Sequence, residues 1–352
     1  MTILQDLLKT SFDCGASDIH VLVNSPPLLR IHTILQETDY PVVTPEGAEE
    51  MLKQMLPTHR FEQFVKDRDI DFSTAMDGLG RFRVNAHYQR DSIAIAFRTI
   101  PESVFPLDKL NLPDAVKKLI TLTRGLVLVT GDTGSGKSTT MASIVDAINN
   151  RFSKHIITLE DPIEYVLKSN KCAIEQREIG SDCPSFSSGL KHALRQDPDI
   201  ILVGEMRDLE TTSAAVTAAE TGHLVLSTLH TINASQTIER IIDIYPSGQQ
   251  NQIRSMLSNT LTAVISQTLF KRTDVPGMIP GVEIMLCNPA IKNCIRENRI
   301  FEIPNVIETS RALGMQTLDY SISQLYLNGQ ISRDDALANA AHPDKLDRML
   351  CA

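Results

Sequence analysis

The chain has 352 residues, of which 42% are hydrophobic and 22% charged, and its formal net charge is −9. That length exceeds what one core usually supports, so two globular domains are expected. No apolar run approaches the ~18 residues of a membrane helix, the acidic balance disfavours nucleic acid as main partner, and the six cysteines contain no C-x-x-C pair that would suggest structural zinc. Met1–Asp13 places Leu4, Leu7 and Leu8 at helical spacing, with Asp6 and Lys9 inside the pattern and no cleavage signature. It reads as an opening helix rather than a signal peptide, and a cytoplasmic chain is expected.

Residues 1–100 read as a small α+β domain. Asp18–Val23 and Leu28–Leu35 are strand patterns around the Pro26-Pro27 break, and Glu46–Leu56 is helical. Arg81–Gln89 then alternates strictly, with Phe82, Val84, Ala86 and Tyr88 on one face and Arg81, Arg83, Asn85, His87 and Gln89 on the other. After a turn at Arg90-Asp91, Ile93, Ile95 and Phe97 repeat the apolar face and leave Arg98 opposite. This predicts a hairpin with one buried and one cationic face. Residues 101–113 carry Pro101, Pro106 and Pro113 and read as a linker.

From residue 114 to 352 the expectation is one α/β domain with a helical C-terminal part. Leu126–Thr130, His155–Leu159, Ile200–Val203 and His223–Thr228 are near-continuous apolar runs, as parallel strands covered on both faces require. Beyond residue 250 the chain reads as mainly helical, with Met256, Leu257, Leu261, Val264, Ile265 and Leu269 as one stripe and a helix Ala290–Glu297 started by Asn288-Pro289.

Between the run Leu126–Thr130 and a helical pattern stands Gly131-Asp132-Thr133-Gly134-Ser135-Gly136-Lys137-Ser138, followed by Thr139. A G-x-x-x-x-G-K-S sequence in a strand–loop–helix setting is a phosphate loop. Its glycines let backbone N–H groups turn inward, Lys137 reaches the β- and γ-phosphates, and the Ser138 hydroxyl ligates Mg²⁺. Met141, Ile144, Val145 and Ile148 form the stripe that packs the following helix on a sheet, with its positive end at the phosphates. The fold class is therefore α/β: a RecA-like P-loop NTPase domain with a mostly parallel sheet, preceded by the smaller α+β domain. No Asn-Lys-x-Asp motif is present to read guanine, so ATP is the expected nucleotide.

Hydrolysis needs a carboxylate as well. The strand Ile200–Val203 runs into Gly204-Glu205, with glycine where an aspartate usually stands, and Glu205 is the candidate for polarising the attacking water. A surface or capping glutamate is the plainer alternative. The strand His155–Leu159 runs into Glu160-Asp161-Pro162-Ile163-Glu164-Tyr165, whose Glu160 and Asp161 suit a Mg²⁺–water shell, with N-capping by Asp161 as the alternative. His223 and His230 bracket the fourth strand seven positions apart, on opposite faces of an unbroken strand, which disfavours a shared metal. His230 could sense γ-phosphate or be structural. Arg81, Arg83 and Arg98 suit phosphate recognition, which ring NTPases often supply from a neighbouring subunit, or form a solvated face.

Assembled, these segments resemble the PilT-type ATPases of the type II/type IV secretion superfamily over nearly the whole chain. The matching segments include Ala16-Ser17-Asp18-Ile19-His20, Gly80-Arg81-Phe82-Arg83, the phosphate loop, the acidic box at 160–165 and Gln176-Arg177-Glu178. They continue through Leu194–Asp199, Val203–Asp208, Ala219–His223 and the histidine box Thr228–Thr231, to Ala290-Ile291-Lys292-Asn293-Cys294-Ile295-Arg296-Glu297, which is similar to the motif of the retraction-type members. Departures are Asp132 where proline is usual, Thr33 after Arg30-Ile31-His32, Ile232-Asn233 after the histidine box, and Lys292 and Cys294 in the last motif. A side chain at Asp132 facing the phosphates would weaken nucleotide binding.

The resemblance implies that Glu205 is the atypical catalytic glutamate and Glu164 the catalytic residue of the acidic box, supported by Glu160 and Asp161. It implies that His230 links nucleotide state to the neighbouring subunit, that Arg81, Arg83 and Arg98 lie where interfacial arginines arise, and that the N-terminal domain is PAS-like. The implied protein is a homo-hexameric, Mg²⁺-dependent ATPase driving pilus retraction, with ATP closed over by a second copy. Its partners would be an inner-membrane pilus platform protein and related ATPase subunits. It would be peripheral at the inner membrane, touching the bilayer through partners only. The alternatives are a secretion, assembly or conjugation-associated ATPase, a non-hydrolysing accessory ring subunit, and, weakest on composition, a DNA motor.

Overall fold

A computed structural model describes residues 2–31, 34–76, 80–100 and 103–350. His32, Thr33, Pro101 and Cys351 lie outside the described residues. The chain divides into two compact units, one formed by Met1–Ser103 with Pro162–Val166 and the other by Val104–Asp161 with Leu167–Ala352.

The first unit is a six-stranded sheet in the order β3-β2-β1-β6-β5-β4, with strands β1 (Asp18–Val21), β2 (Leu28–Ile31), β3 (Ile34–Glu37), β4 (Asp69–Met76), β5 (Gly80–Gln89) and β6 (Ser92–Ile100). Every pairing is antiparallel. The hairpin is as expected: Gln89 pairs with Ser92, and Arg90 and Asp91 sit at φ 46° and 58°, the doubly positive turn that matches strand twist. Helix α1 (Ile3–Asp13) starts in a capping box between Thr2 and Gln5, and α2 (Pro45–Met55) is capped by Thr44. With α3 (Thr58–Asp67) they cover the apolar sheet face, burying Leu4, Leu7, Leu8, Leu52, Phe64, Phe82 and Phe97.

The second unit is a seven-stranded sheet in the order β13-β12-β7-β11-β10-β8-β9. The strands are β7 (Gly125–Thr130), β8 (His155–Glu160), β9 (Ala173–Glu178), β10 (Ile200–Val203), β11 (Leu224–Leu229), β12 (Leu261–Lys271) and β13 (Met278–Leu286). Only the β12–β13 pairing is antiparallel. The sheet order puts β7, which runs into the glycine-rich loop, beside β11, and β10 beside β11, all parallel, so their carboxyl ends share one rim, where open α/β sheets bind ligands. Helices α4 (Asp114–Lys118), α5 (Lys137–Arg151), α6 (Phe186–Ala193), α7 (Leu209–Glu220), α8 (Ala234–Asp243), α9 (Gln250–Thr260), α10 (Pro289–Arg296) and α11 (Ile303–Thr309) cover the two faces. The last helices, α12 (Leu318–Leu327), α13 (Arg333–Ala338) and α14 (Pro343–Leu350), gather around Phe270 and Ile279. Residues 104–113 pack into this unit through Leu107 and Leu112.

Two expectations fail. Leu261, Val264, Ile265 and Leu269 do not continue a helical stripe with Met256 and Leu257, because α9 stops at Thr260 and Leu261 turns to φ −65°, ψ 127°. The next eleven residues are β12, inserted beside β7. Being covered on both faces, this strand buries Ala263, Val264, Ile265, Ser266 and Gln267 in succession, so no alternation marks it in the sequence. The 28–35 pattern likewise splits into two paired strands, β2 and β3.

Candidate functional site

The site grows from the carboxyl ends of β7, β10, β11 and β8. After Thr130 the chain enters the loop 131–136, with Gly131, Gly134 and Gly136 at φ 140°, 82° and 86°. A Cβ on Gly131 would lie 2.2 Å from the Gln267 carbonyl oxygen, and one on Gly136 would lie 2.8 Å from Gln267 Nε2. At Gly134 nothing lies within 4 Å, so only the backbone conformation asks for glycine there. Asp132, Thr133 and Gly134 form the exposed crest of the loop, Ser135 is buried, and Ser138 and Thr139 are half-buried in the first turn of α5.

The Lys137 ammonium is the buried charge of the loop, donating to the carbonyls of Gly131 (2.7 Å) and Asp132 (2.8 Å). Gly136 stands at the N-cap of α5, and no described side chain caps that helix end. Ser135 Oγ is buried without a hydrogen-bond partner among the described residues. A loop of this curvature with a buried ammonium and helix start fits the phosphates of a nucleotide, because each element is a donor that polyphosphate oxygens satisfy.

Two strands from β7 in the sheet, Glu205 follows β10. Gly204, at the position where an aspartate usually stands, is confined: its N–H donates to the Leu159 carbonyl at 2.8 Å, and a Cβ there would meet the same oxygen at 3.2 Å. The Glu205 carboxylate is largely shielded and splits its oxygens, Oε2 lying 2.8 Å from Arg207 Nε and Oε1 3.3 Å from His230 Nε2. The hydrogen bond with Glu205 pushes the Arg207 guanidinium above its ordinary value, against burial and with a further contribution from Asp161. Capping of α7 falls to Asp208, which accepts from Thr211 N–H and Oγ1, and not to Glu205.

Of the acidic box, Glu160 ends β8 and accepts from Thr158 Oγ1 (2.6 Å) and Gln176 Nε2 (3.0 Å). Asp161 is exposed and caps no helix, since the next one starts at Phe186. Glu164 belongs to the first unit, where its Oε1 lies 3.8 Å from Arg83 Nη1. Among the described residues no group of three or more His, Cys, Asp and Glu side chains gathers as a metal site. His223 sits apart from His230, against the end of α7, with Nδ1 at 3.0 Å from the Ala218 carbonyl.

In the first unit, Arg83 and Arg98 are directly opposed across β5 and β6. Arg81 donates to Ser73 Oγ, and Arg98 Nε to Asp18 Oδ1 at 2.9 Å. Burial opposes ionisation of Asp18, but the hydrogen bonds from Arg98 and Ser17 outweigh it and hold the carboxyl below the usual range.

Two residues of the rim went unread in the sequence. Gln267, from the misassigned strand, lies under the phosphate loop. Glu283 on β13 accepts the Ala234 N–H at 2.8 Å, fixing the start of α8 just after the histidine box. Burial pushes its carboxyl up to about 7, opposed by that hydrogen bond and reinforced by Asp319.

A family model described as Type II/IV secretion system protein matches residues 2–277. The chain is 44% identical over 341 residues to the type IV pilus retractation ATPase PilT of Pseudomonas aeruginosa, covering 97% of this chain and 99% of that protein. It is 43% identical over 340 residues to a twitching motility protein of Neisseria gonorrhoeae, covering 97% and 91%. The crystal structure of the pilus retraction motor PilT with bound ADP superposes with a TM-score of 0.91 at 43% identity, covering 99% of both chains. A nucleotide-binding, ATP-hydrolysing chain of the type II/type IV secretion system protein family, it belongs among the PilT-type retraction ATPases.

Proposed function

We propose that this chain is the subunit of a homo-hexameric motor that hydrolyses ATP to retract a type IV pilus, peripheral at the inner membrane and coupled to a platform protein there. The observation that carries this reading is the 44% identity to a pilus-retraction ATPase across 97% of the chain. The phosphate loop and the Glu205–His230 pair on adjacent strand ends support it chemically.

In this reading the loop N–H groups and the start of α5 receive the phosphates, and Lys137 exchanges its hold on two loop carbonyls for the β/γ-phosphate oxygens. Ser138, with Glu160 and Asp161 through water, would hold Mg²⁺, which supplies charge neutralisation on the phosphates when bound. Glu205 orients the attacking water, and His230 keeps its carboxylate turned while sensing the γ-phosphate. Glu164 assists from the acidic box. Arg81, Arg83 and Arg98 of a neighbouring copy stabilise the charge that spreads in the transition state, leaving their present partners Ser73, Glu164 and Asp18 to do so. Loss of the γ-phosphate releases that grip, which turns hydrolysis into domain motion.

The test is Mg²⁺-dependent ATP turnover of the purified chain together with its mass in solution, and the pilus phenotype of a deletion strain. Turnover by a hexamer, and pili that assemble but fail to retract without the gene, are the expected results. Firm ATP binding with no turnover in the assembled ring would point to an accessory subunit, and loss of pili altogether to an assembly or secretion ATPase.

A further inference from the structure

We infer that Gln267 is a positioning residue of the phosphate loop, acting from a strand on the far side of β7 from the catalytic glutamate. This deepens the nucleotide-binding reading and rests on loop 131–138 being the phosphate cradle. Register pairs Ser266 of β12 with Thr130, the last residue of β7, so Gln267 is the first β12 residue past the point where β7 turns into the loop. Thr130 Oγ1 donates to Ser266 Oγ at 2.9 Å, which locks that register at its end.

Gln267 is only 4% exposed, and both ends of its amide are engaged. Nε2 donates to the Ser135 carbonyl at 2.6 Å, and Oε1 accepts from Thr140 Oγ1 at 2.9 Å. One side chain thus joins the last turn of the loop to the first turn of α5. The peptide plane carries the mechanism. With the Ser135 carbonyl held on the Gln267 side, the trans peptide turns the Gly136 N–H to the opposite side, away from Gln267. The same contact explains why residue 136 is glycine, since its Cβ would strike Gln267 Nε2, and the Gln267 carbonyl imposes the same demand at Gly131. Glutamine is required because the position needs one donor and one acceptor in a neutral group.

Three substitutions separate this role from plain structural support. Gln267→Glu keeps size and the acceptor for Thr140 but sets a carboxylate against the Ser135 carbonyl. Thr140→Val removes only the other contact, and Thr140→Ser restores it. ADP and ATP affinity are measured by titration calorimetry, with thermal melting alongside. Gln267→Glu is expected to weaken nucleotide binding about tenfold, equal to about 1.4 kcal/mol, and to raise KM for ATP more than it lowers kcat. Thr140→Val should weaken binding severalfold, and Thr140→Ser should recover it. Combined with Lys137→Ala, Gln267→Glu should add little, because both act on one loop. Melting shifts with unchanged affinity and KM in Gln267→Glu and Thr140→Val would overturn the proposal, as would fully additive losses in the double variant. If Lys137→Ala itself binds nucleotide as tightly as the parent chain, the cradle reading fails instead, which is a separate outcome.

Discussion

His230 Nε2 lies 3.3 Å from Glu205 Oε1, so the histidine that follows β11 and the carboxylate that follows β10 meet across adjacent parallel strands. Arg207 holds the other oxygen at 2.8 Å, and the two contacts fix the carboxylate's rotation. A water-orienting carboxylate works only when its lone pairs are aimed. His230→Ala is therefore expected to lower kcat on the order of tenfold to a hundredfold while leaving ADP affinity within about twofold. Steady-state turnover set against calorimetric binding checks this, and an equal fall in both would place His230 in nucleotide binding instead.

Lys137 concentrates the loop's charge in a buried position. Lys137→Ala removes the donor shared by the Gly131 and Asp132 carbonyls and, in the proposed reading, the counter-charge for the phosphates. ADP affinity is expected to drop on the order of tenfold to a hundredfold, the range for charged hydrogen bonds. The same titration measures it.

The loop glycines differ in what they forbid. Gly131→Ala drives a methyl to within 2.2 Å of the Gln267 carbonyl, so β12 must shift and both melting temperature and nucleotide affinity should fall. Gly134→Ala meets open space and carries only the cost of its positive φ, about 1–2 kcal/mol. Thermal denaturation of the two variants should rank them in that order.

Glu283 gives the stability a pH slope. Its carboxyl sits at about 7 in the folded chain against an ordinary value of 4.5. Between those values the folded state holds the extra proton, so stability falls as pH rises from about 4.5 through about 7 and levels off above. The loss is on the order of 3 kcal/mol. Glu283→Gln should flatten the melting-temperature profile between pH 5 and pH 8; an unchanged profile would show that Glu283 does not carry it.

The glycine-rich turn 131–136 was legible because its spacing and its strand–loop–helix setting repeat one physical demand, a tight turn ahead of a helix start. The hairpin with Arg81, Arg83 and Arg98 was legible because one of its faces meets water, which imprints alternation. β12 was not, since both its faces are buried and Leu261–Gln267 carries apolar and small polar residues without a period. Gln267 and Glu283 went unseen because each sits in a strand without a readable period, with a partner more than 45 positions away. Glu205 was singled out by its place at a strand end, but its pairing with His230 depends on β10 and β11 being neighbours, which only the sheet order supplies.

The most direct test is Glu205→Gln, assayed for ATP turnover and ATP binding on the same purified protein. The amide keeps the shape beside Arg207 and His230 but cannot polarise water, so turnover should fall on the order of 10²–10⁴-fold with ATP binding retained. Turnover at the parent rate would contradict the assignment of Glu205 as the residue that directs water to the phosphate.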